Sequence, residues 1–161
     1  MIAVIGCGNP NRRDDGVGPA IIKMLAKRDV ARDPRIRLLD AGTDGMAVMF
    51  AARDCRCLII IDACRSGAEA GAIYEVPGAK LEQPYQPSLT LHDFRWNHAL
   101  HAGSRLFGPA FPESVTVLLI EAATVEYGLD LSPPVAAAAE TAANRIRALL
   151  RVHLRETETV Q

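Results

Sequence analysis

Four aspartates and one histidine are the side chains of this sequence best placed for chemistry. Asp14 and Asp15 follow the first apolar run, Asp40 ends the second, Asp62 ends the third, and His92 stands at the start of a helical pattern. Carboxylate and imidazole donors suit divalent transition metals such as nickel, zinc or cobalt. A protein ligand set that is incomplete leaves positions open for water or a substrate group. The pattern therefore predicts a metal site built from separate segments.

Such donors need a scaffold that brings the ends of several strands together, and the apolar runs predict one. The predicted strands are 2–7, 36–40, 57–64, 72–76 and 115–120, and the predicted helices are 16–28, a short one over 46–50, 92–107 and one from 133. We expect 36–40 near an edge, 57–64 at the centre and 72–76 antiparallel. In an open α/β sheet, ligands bind beyond the carboxyl ends of the strands, where the aspartates fall. The alternation predicts a single three-layer α/β domain over residues 1–161, with 154–161 as a frayed tail.

Composition and charge argue against several classes of partner. The chain has 18 basic and 19 acidic residues, a net charge of −1, which predicts no nucleic-acid binding. Every apolar run is much shorter than the ~20 residues of a membrane span, which predicts no membrane contact. Without a visible secretory signal, we expect a cytoplasmic protein. The four cysteines form no CxxC pair, so we expect reduced and mostly buried thiols.

Rival interpretations of the first loop have less support. Residues 6–11 begin like a dinucleotide-binding fingerprint, but the third glycine position holds Asn11. Asp14 and Asp15 would also disfavour a pyrophosphate at the following helix N-terminus. Cys7 could act as a nucleophile, but the sequence ties no histidine to it. Each acidic residue alone could complement a helix dipole or form a turn, so only their combination with His92 predicts a metal site.

Four short blocks stand in order near the start of the chain. Their patterns are G-x-G-N-x-x-x-x-D-[DE]-x-x-G after a strand, D-x-G-T, D-A ending an apolar strand, and a histidine after a loop containing Ser or Thr. They read Gly6-Cys7-Gly8-Asn9-Pro10-Asn11-Arg12-Arg13-Asp14-Asp15-Gly16-Val17-Gly18, Asp40-Ala41-Gly42-Thr43, Ile61-Asp62-Ala63 and Thr90-Leu91-His92-Asp93. Together these blocks resemble the maturation endopeptidases of nickel–iron hydrogenases, and residues 127–133 are similar too. The chain departs from the family at 121–123, where relatives have a glycine-containing turn.

The resemblance implies a phosphorylase/hydrolase-like α/β fold, with a twisted sheet of about five strands flanked by helices. It also implies an aspartic-type endopeptidase that removes a C-terminal extension from the precursor of a hydrogenase large subunit already carrying nickel. In the family, the residues matching Asp15, Asp62 and His92 bind the metal, and Asp40 is placed near the site. The implied cofactor is nickel supplied by the substrate, which cadmium or zinc can replace in a crystal.

The expected mechanism is hydrolysis directed by nickel, which docks on the site and places the scissile bond at the rim. A carboxylate, Asp40 or Asp14, is expected to take the proton of the attacking water. The loop 77–91 is expected to hold the substrate, and Arg12 and Arg13 either contact a carboxylate-bearing end of it or are solvated. We expect a monomer. The alternatives are a nickel-sensing chaperone that binds the large subunit without cleaving it, and a nucleotide-binding α/β protein.

Overall fold

The computed structural model describes residues 1–86 and 93–158, the last two by their backbone alone. Among them are five strands and four α-helices. The strands are β1 (Ile2–Cys7), β2 (Ile36–Gly42), β3 (Cys57–Cys64), β4 (Ile73–Pro77) and β5 (Ser114–Glu121), and the helices are α1 (Val17–Ala26), α2 (Gly45–Ala52), α3 (Trp96–Phe107) and α4 (Pro133–Glu158). The 3-10 turns are Arg13–Gly16, Asp29–Arg32, Gly78–Lys80 and Gly108–Ala110.

The five strands form one mixed sheet in the order β2-β1-β3-β5-β4. β1, β2, β3 and β5 run parallel, and β4 pairs antiparallel with β5. The predicted positions of β2 at an edge, β3 at the centre and β4 antiparallel are confirmed. All six residues of β1 and the first five of β3 are buried, because both strands are covered on both faces. The predicted α/β fold with about five strands is confirmed.

Two cores cover the two faces of the sheet, since successive side chains of a strand point to opposite sides. On one face, Ile59 and Ile61 pack against α1 and α4; on the other, Leu58 and Ile60 pack against α2 and α3. The helices supply the first core with residues that include Ile21, Leu25, Ile146 and Leu150, and the second with Val48, Met49 and Leu100. Three layers result, and the carboxyl ends of four strands meet at one end of the sheet.

The start of α3 was predicted four residues too early. The helix begins at Trp96, and Phe94 lies before it, buried in the second core. The carbonyl oxygen of Phe94 accepts a hydrogen bond from the amide of Gly45 at the start of α2, at 3.2 Å. Arg95 has extended backbone angles, φ −99° and ψ 176°. A contact with α2, distant in sequence, therefore holds this segment outside the helix.

The start of α4 has an unusual environment. Ser132 directly precedes the helix and fits the local pattern of an N-cap, but its hydroxyl donates to Asp14 instead, at 2.8 Å. The helix continues to Glu158, and residues 159–161 of the tail expected to fray lie outside the described residues. No helix among the described residues is long and apolar enough to cross a membrane. All four cysteines are free thiols, three of them buried.

Candidate active site

Asp15 is positioned by a loop that folds back onto the end of β1. Gly8, just after β1, has φ +120°, and a Cβ there would overlap the carbonyl oxygen of Asp15. A Cβ on Gly18 would likewise collide with the carbonyl oxygens of Cys7 and Ile61. Glycine at these two positions lets the start of α1 pack directly on the ends of β1 and β3. Asp15 is thereby brought to the carboxyl end of the central strand.

One carboxylate oxygen of Asp15 is held and the other is available. Oδ2 accepts a hydrogen bond from the backbone amide of Asn9 at 2.8 Å, which fixes the side chain. No donor among residues 1–86 and 93–158 bonds to Oδ1. The half-buried side chain lines an open cavity of about 400 Å³. Asp15 is therefore oriented by the loop, with one carboxylate oxygen to which no described residue donates.

Asp62 lies near the end of β3, next to Gly8. Its Oδ1 would be 3.5 Å from a Cβ on Gly8 and accepts from the amide of Ala63 at 2.9 Å, while Oδ2 accepts from Nε1–H of Trp96 at 2.7 Å. Burial raises the pKa of Asp62 to about 6; the nearby charge of Asp15 adds to this effect, while the hydrogen bonds from Trp96 and Ala63 and the charge of Arg95 oppose it. A cation bound at the two carboxylates would favour the ionised form of Asp62.

Asp14, the neighbour of Asp15, has a different environment. It is fully buried, and its oxygens accept from the amides of Ala123 (2.9 Å), Thr124 (3.1 Å) and Ser132 (2.6 Å) and from the Ser132 hydroxyl. Burial alone would raise the pKa of Asp14, but the donors of Ser132, Thr124 and Ala123 outweigh it and lower the pKa. Asp14 fastens the first loop to the β5–α4 connection. With every donor already in place and no exposure, it does not suit the predicted alternative role of proton acceptor.

Asp40 lies at the same end of the sheet, on the edge strand β2. It is paired in register with Gly6 of β1, and its Oδ1 accepts from the amide of Gly42 at 3.0 Å. The carboxylate is exposed. It borders neither the cavity beside Asp15 nor the void beside Asp62, although Thr43, three residues on, borders both. Asp40 therefore lies at the same end of the sheet, but it is more exposed to solvent than Asp14, Asp15 and Asp62.

The third predicted metal ligand, His92, lies outside the described residues, as does 87–91 of the loop expected to hold the substrate. Within the described ranges 1–86 and 93–158, no group of three or more His, Cys, Asp or Glu side chains could hold a metal ion. The structure therefore brings Asp15 and Asp62 together, and the metal set completed by His92 stays a prediction.

The thiols near the site are not activated. Burial, together with the negative charges of Asp62 and Asp40, raises the pKa of Cys7 well above its usual value. Burial and a hydrogen bond to Glu121 raise the pKa of Cys64 to about 12. A thiol is a weak nucleophile unless it is deprotonated. This argues against the alternative in which Cys7 attacks a substrate.

Sequence reasoning missed two residues that shape the site. Trp96, the one tryptophan of the chain, holds Asp62 through its indole N–H. Glu121 is only 2% exposed and accepts from the amide and hydroxyl of Ser66 and from the amide of Gly67, which lowers the pKa of Glu121 to about 2. It thereby fixes the turn that follows β3. The family pattern has a glycine-containing turn at the position of Glu121. This departure was the only feature of the sequence that could have indicated a special role for Glu121.

The cavity beside Asp15 has a cationic rim. Its lining residues are Asn9, Arg12, Asp15, Thr43, Ala63, Cys64, Arg65, Arg95 and Val125. A smaller void of about 10 Å³ lies next to it, lined by residues that include Gly8, Asp62 and Trp96; Arg95 and Thr43 border both spaces. Asp15 and Asp62 therefore line two neighbouring spaces, and Arg95 lines both of them.

Comparisons with known proteins agree on one family. Residues 19–149 match the family model described as hydrogenase maturation protease, a range that includes Asp40 and Asp62. The coenzyme F420 hydrogenase subunit delta of Methanothermobacter thermautotrophicus is 29% identical over 150 residues, which cover 83% of this chain and 84% of that protein. The hydrogenase 2 maturation protease of Escherichia coli K12 is 28% identical over 151 residues, 93% of this chain and 90% of that protein.

Solved structures show the same fold. The hydrogenase maturating endopeptidase HybD from E. coli is 25% identical and has a TM-score of 0.76, over 95% of this chain and 93% of that one. The [NiFe] hydrogenase maturation protease HycI from Thermococcus kodakarensis is 18% identical, with a TM-score of 0.74 over 94% and 92% of the two chains, and supports the fold alone.

Proposed function

The chain belongs to the hydrogenase maturation protease family, and from this premise we propose that it is an endopeptidase acting on the large-subunit precursor of a nickel–iron hydrogenase. It removes a C-terminal extension from a precursor that already carries nickel, and the nickel marks the precursor as ready for cleavage. The metal belongs to the substrate in this proposal.

The observation that carries the proposal is that Asp15, through its backbone, and the carboxylate of Asp62 both lie next to Gly8, with the charge of Asp15 close enough to raise the pKa of Asp62. Asp15 keeps Oδ1 without a donor among the described residues, and both oxygens of Asp62 retain a lone pair beyond their single hydrogen bonds. Two carboxylates from different segments suit a divalent cation, and His92, from the fourth sequence block, is proposed as the third donor. Three protein donors leave positions for the ligands that the substrate itself supplies.

Docking the nickel at Asp15 and Asp62 fixes the scissile bond relative to the protein, which replaces a chance encounter by a defined orientation. The oxygen of a water molecule then attacks the peptide carbonyl carbon, and the bond to the leaving nitrogen breaks. Asp40, exposed at the same end of the sheet, is proposed to take the proton from the water. The leaving nitrogen is protonated, which yields a new C-terminus and a free peptide.

The test is cleavage of nickel-loaded precursor by four proteins: the unchanged chain, Asp15→Asn, Asp62→Asn and the control Asp130→Asn. Asp130 is exposed in the β5–α4 connection, so the control makes the same chemical change away from the site. We expect a shortened precursor from the unchanged chain and the control, with at least a hundredfold slower cleavage by the two site variants.

If the chain forms a stable complex with the precursor but leaves it intact, the result would contradict an endopeptidase and support the nickel-sensing chaperone. Melting curves with nickel, cadmium and nucleotides give a separate result. Stabilisation by a nucleotide and by neither metal would overturn metal recognition at Asp15 and Asp62 and favour a nucleotide-binding protein.

A further inference from the structure

The cavity next to Asp15 is lined by three arginines, from three different segments of the chain. We propose that it binds a carboxylate of the substrate polypeptide between Arg12, Arg65 and Arg95, beside the metal-binding carboxylates. This deepens the proposed function and rests on it, because it assumes that a polypeptide is placed at this end of the sheet. The arginines would then help to select the substrate rather than to break the bond.

The charge of the lining supports an anionic ligand. Among the described residues, the lining includes three arginines and one carboxylate residue, Asp15, and its other members are uncharged. When the charge of the nearby Asp62 is added to that of Asp15, the three described arginines still outnumber the two carboxylates. The whole chain has a net charge of −1, so this excess is local. Guanidinium groups bind carboxylates through paired hydrogen bonds of matching geometry. A volume of about 400 Å³ lies within the usual range for ligand sites.

Arg12 is held in place, and no described residue forms a hydrogen bond with its terminal nitrogens. Its Nε donates to the carbonyl oxygen of Val125 at 3.0 Å, and its guanidinium lies 5.3 Å from the centre of the Tyr127 ring. The connection that carries both partners is itself fastened by Asp14. A side chain oriented in this way loses less conformational freedom when it binds a ligand.

The other two arginines are available for a ligand in different ways. Arg65 is exposed and makes no hydrogen bond or ion pair with any residue that the structure describes, although it directly follows the β3 strand that carries Asp62. Arg95 borders both the cavity and the void next to Asp62. A carboxylate in the cavity would therefore have cations on three sides and the metal-binding pair beside it.

Two groups of a polypeptide offer this chemistry: the α-carboxylate at its C-terminus and the side chain of Asp or Glu. Both would meet the same three arginines. The precursor can be changed at either source, by amidation of its C-terminus or by replacing the acidic residues of its extension with Asn and Gln. The two changes therefore identify which carboxylate is bound.

Arg65→Gln is the best probe because this side chain makes no hydrogen bond or ion pair with any described residue, so its loss removes no such interaction. Arg105→Gln is the matched control, since Arg105 is exposed on α3 and lines no part of the cavity. The measurement is the Kd of nickel-loaded precursor for the unchanged chain and both variants, at low and high salt. We expect an about tenfold higher Kd for Arg65→Gln, a weaker dependence on salt, and no change for the control.

Removal of the bound carboxylate from the precursor should raise the Kd of the unchanged chain by more than the Arg65→Gln change does, because Arg12, Arg65 and Arg95 all lose their partner, and it should raise the Kd of Arg65→Gln by a smaller factor than that of the unchanged chain. An unchanged Kd for Arg65→Gln, or equal losses in both proteins when the carboxylate is removed, would overturn the proposal. Cleavage is scored in the same samples. If the precursor binds in a way that depends on Arg65 but is not cleaved, the endopeptidase function would be contradicted. The carboxylate-binding site would still be supported.

Discussion

Asp14 and Asp15 are adjacent and chemically identical, yet the structure predicts opposite consequences for their loss. Asp14→Asn keeps the size of the side chain but replaces one acceptor oxygen by an NH₂ group. If the remaining oxygen serves the Ala123 and Thr124 amides, the NH₂ group faces the amide of Ser132, which lies 2.6 Å from Oδ1. Two donors then oppose each other in a buried position.

The size of the effect follows from the bonds affected. Hydrogen bonds to a charged group contribute about 1.5–3 kcal/mol each. Asp14→Asn loses one of them outright and removes the charge from the rest, so we expect a loss of about 4 kcal/mol in the free energy of unfolding. For a chain of 161 residues, each kcal/mol corresponds to about 2–4 °C, which gives a fall of about 8–16 °C in Tm.

The assay is thermal and urea unfolding of Asp14→Asn, Asp15→Asn and the exposed control Asp130→Asn at pH 7. Asp15→Asn keeps an oxygen for the amide of Asn9, so its Tm should stay within about 2 °C of the unchanged chain while its cleavage is lost. Because the folded pKa of Asp14 is lowered, its contribution is present above its unfolded pKa of about 3.8 and disappears as pH falls further.

Equal stability of Asp14→Asn and Asp130→Asn would refute the role assigned to Asp14. So would a stability difference between the unchanged chain and Asp14→Asn that does not shrink below pH 4. Loss of stability in Asp15→Asn comparable to that in Asp14→Asn would show that the two side chains share one structural task.

Two further predictions concern the other side of the site. Burial raises the pKa of Asp62 to about 6, so its carboxyl stabilises the metal-free fold most below about pH 4, and this is lost as pH rises through 6. Between pH 4 and 8, the unchanged chain should therefore lose about 3 kcal/mol relative to Asp62→Asn in urea unfolding; a constant difference would contradict the raised pKa. Gly8→Ala should cost about 4 kcal/mol, because its Cβ meets the Asp15 carbonyl at φ +120°, whereas the control Gly67→Ala, at φ +88° with open space around it, should cost about 1–2 kcal/mol. Equal losses for the two alanines would mean that the loop is not tightly folded around Gly8.

The strands of the sheet could be predicted because each one is indicated by the residues of its own segment. β1 and β3 are continuous apolar runs, which identify buried central strands, and the alternation of β2 identified an edge. The antiparallel β4 followed from a connection too short for a crossover helix. The placement of Asp15 and Asp62 at one end of the sheet followed from the order of the strands.

What sequence reasoning missed depends on contacts between distant residues. Nothing local distinguishes Asp14 from Asp15; the difference arises from donors more than 100 positions away. Ser132 fits the local pattern of a helix cap but bonds to Asp14, and the start of α3 is set by a backbone contact with α2. The hydrogen bond of Trp96 to Asp62 likewise joins an element to a strand 34 residues earlier.

The proposed function depends on recognition of substrate-borne nickel by Asp15 and Asp62. It can be tested by the intact mass of the large-subunit precursor after incubation with the unchanged chain, with and without prior nickel loading. Only the nickel-loaded precursor should lose the mass of its C-terminal extension, and Asp15→Asn should leave it intact. Equal shortening of the nickel-free precursor would contradict recognition through the metal.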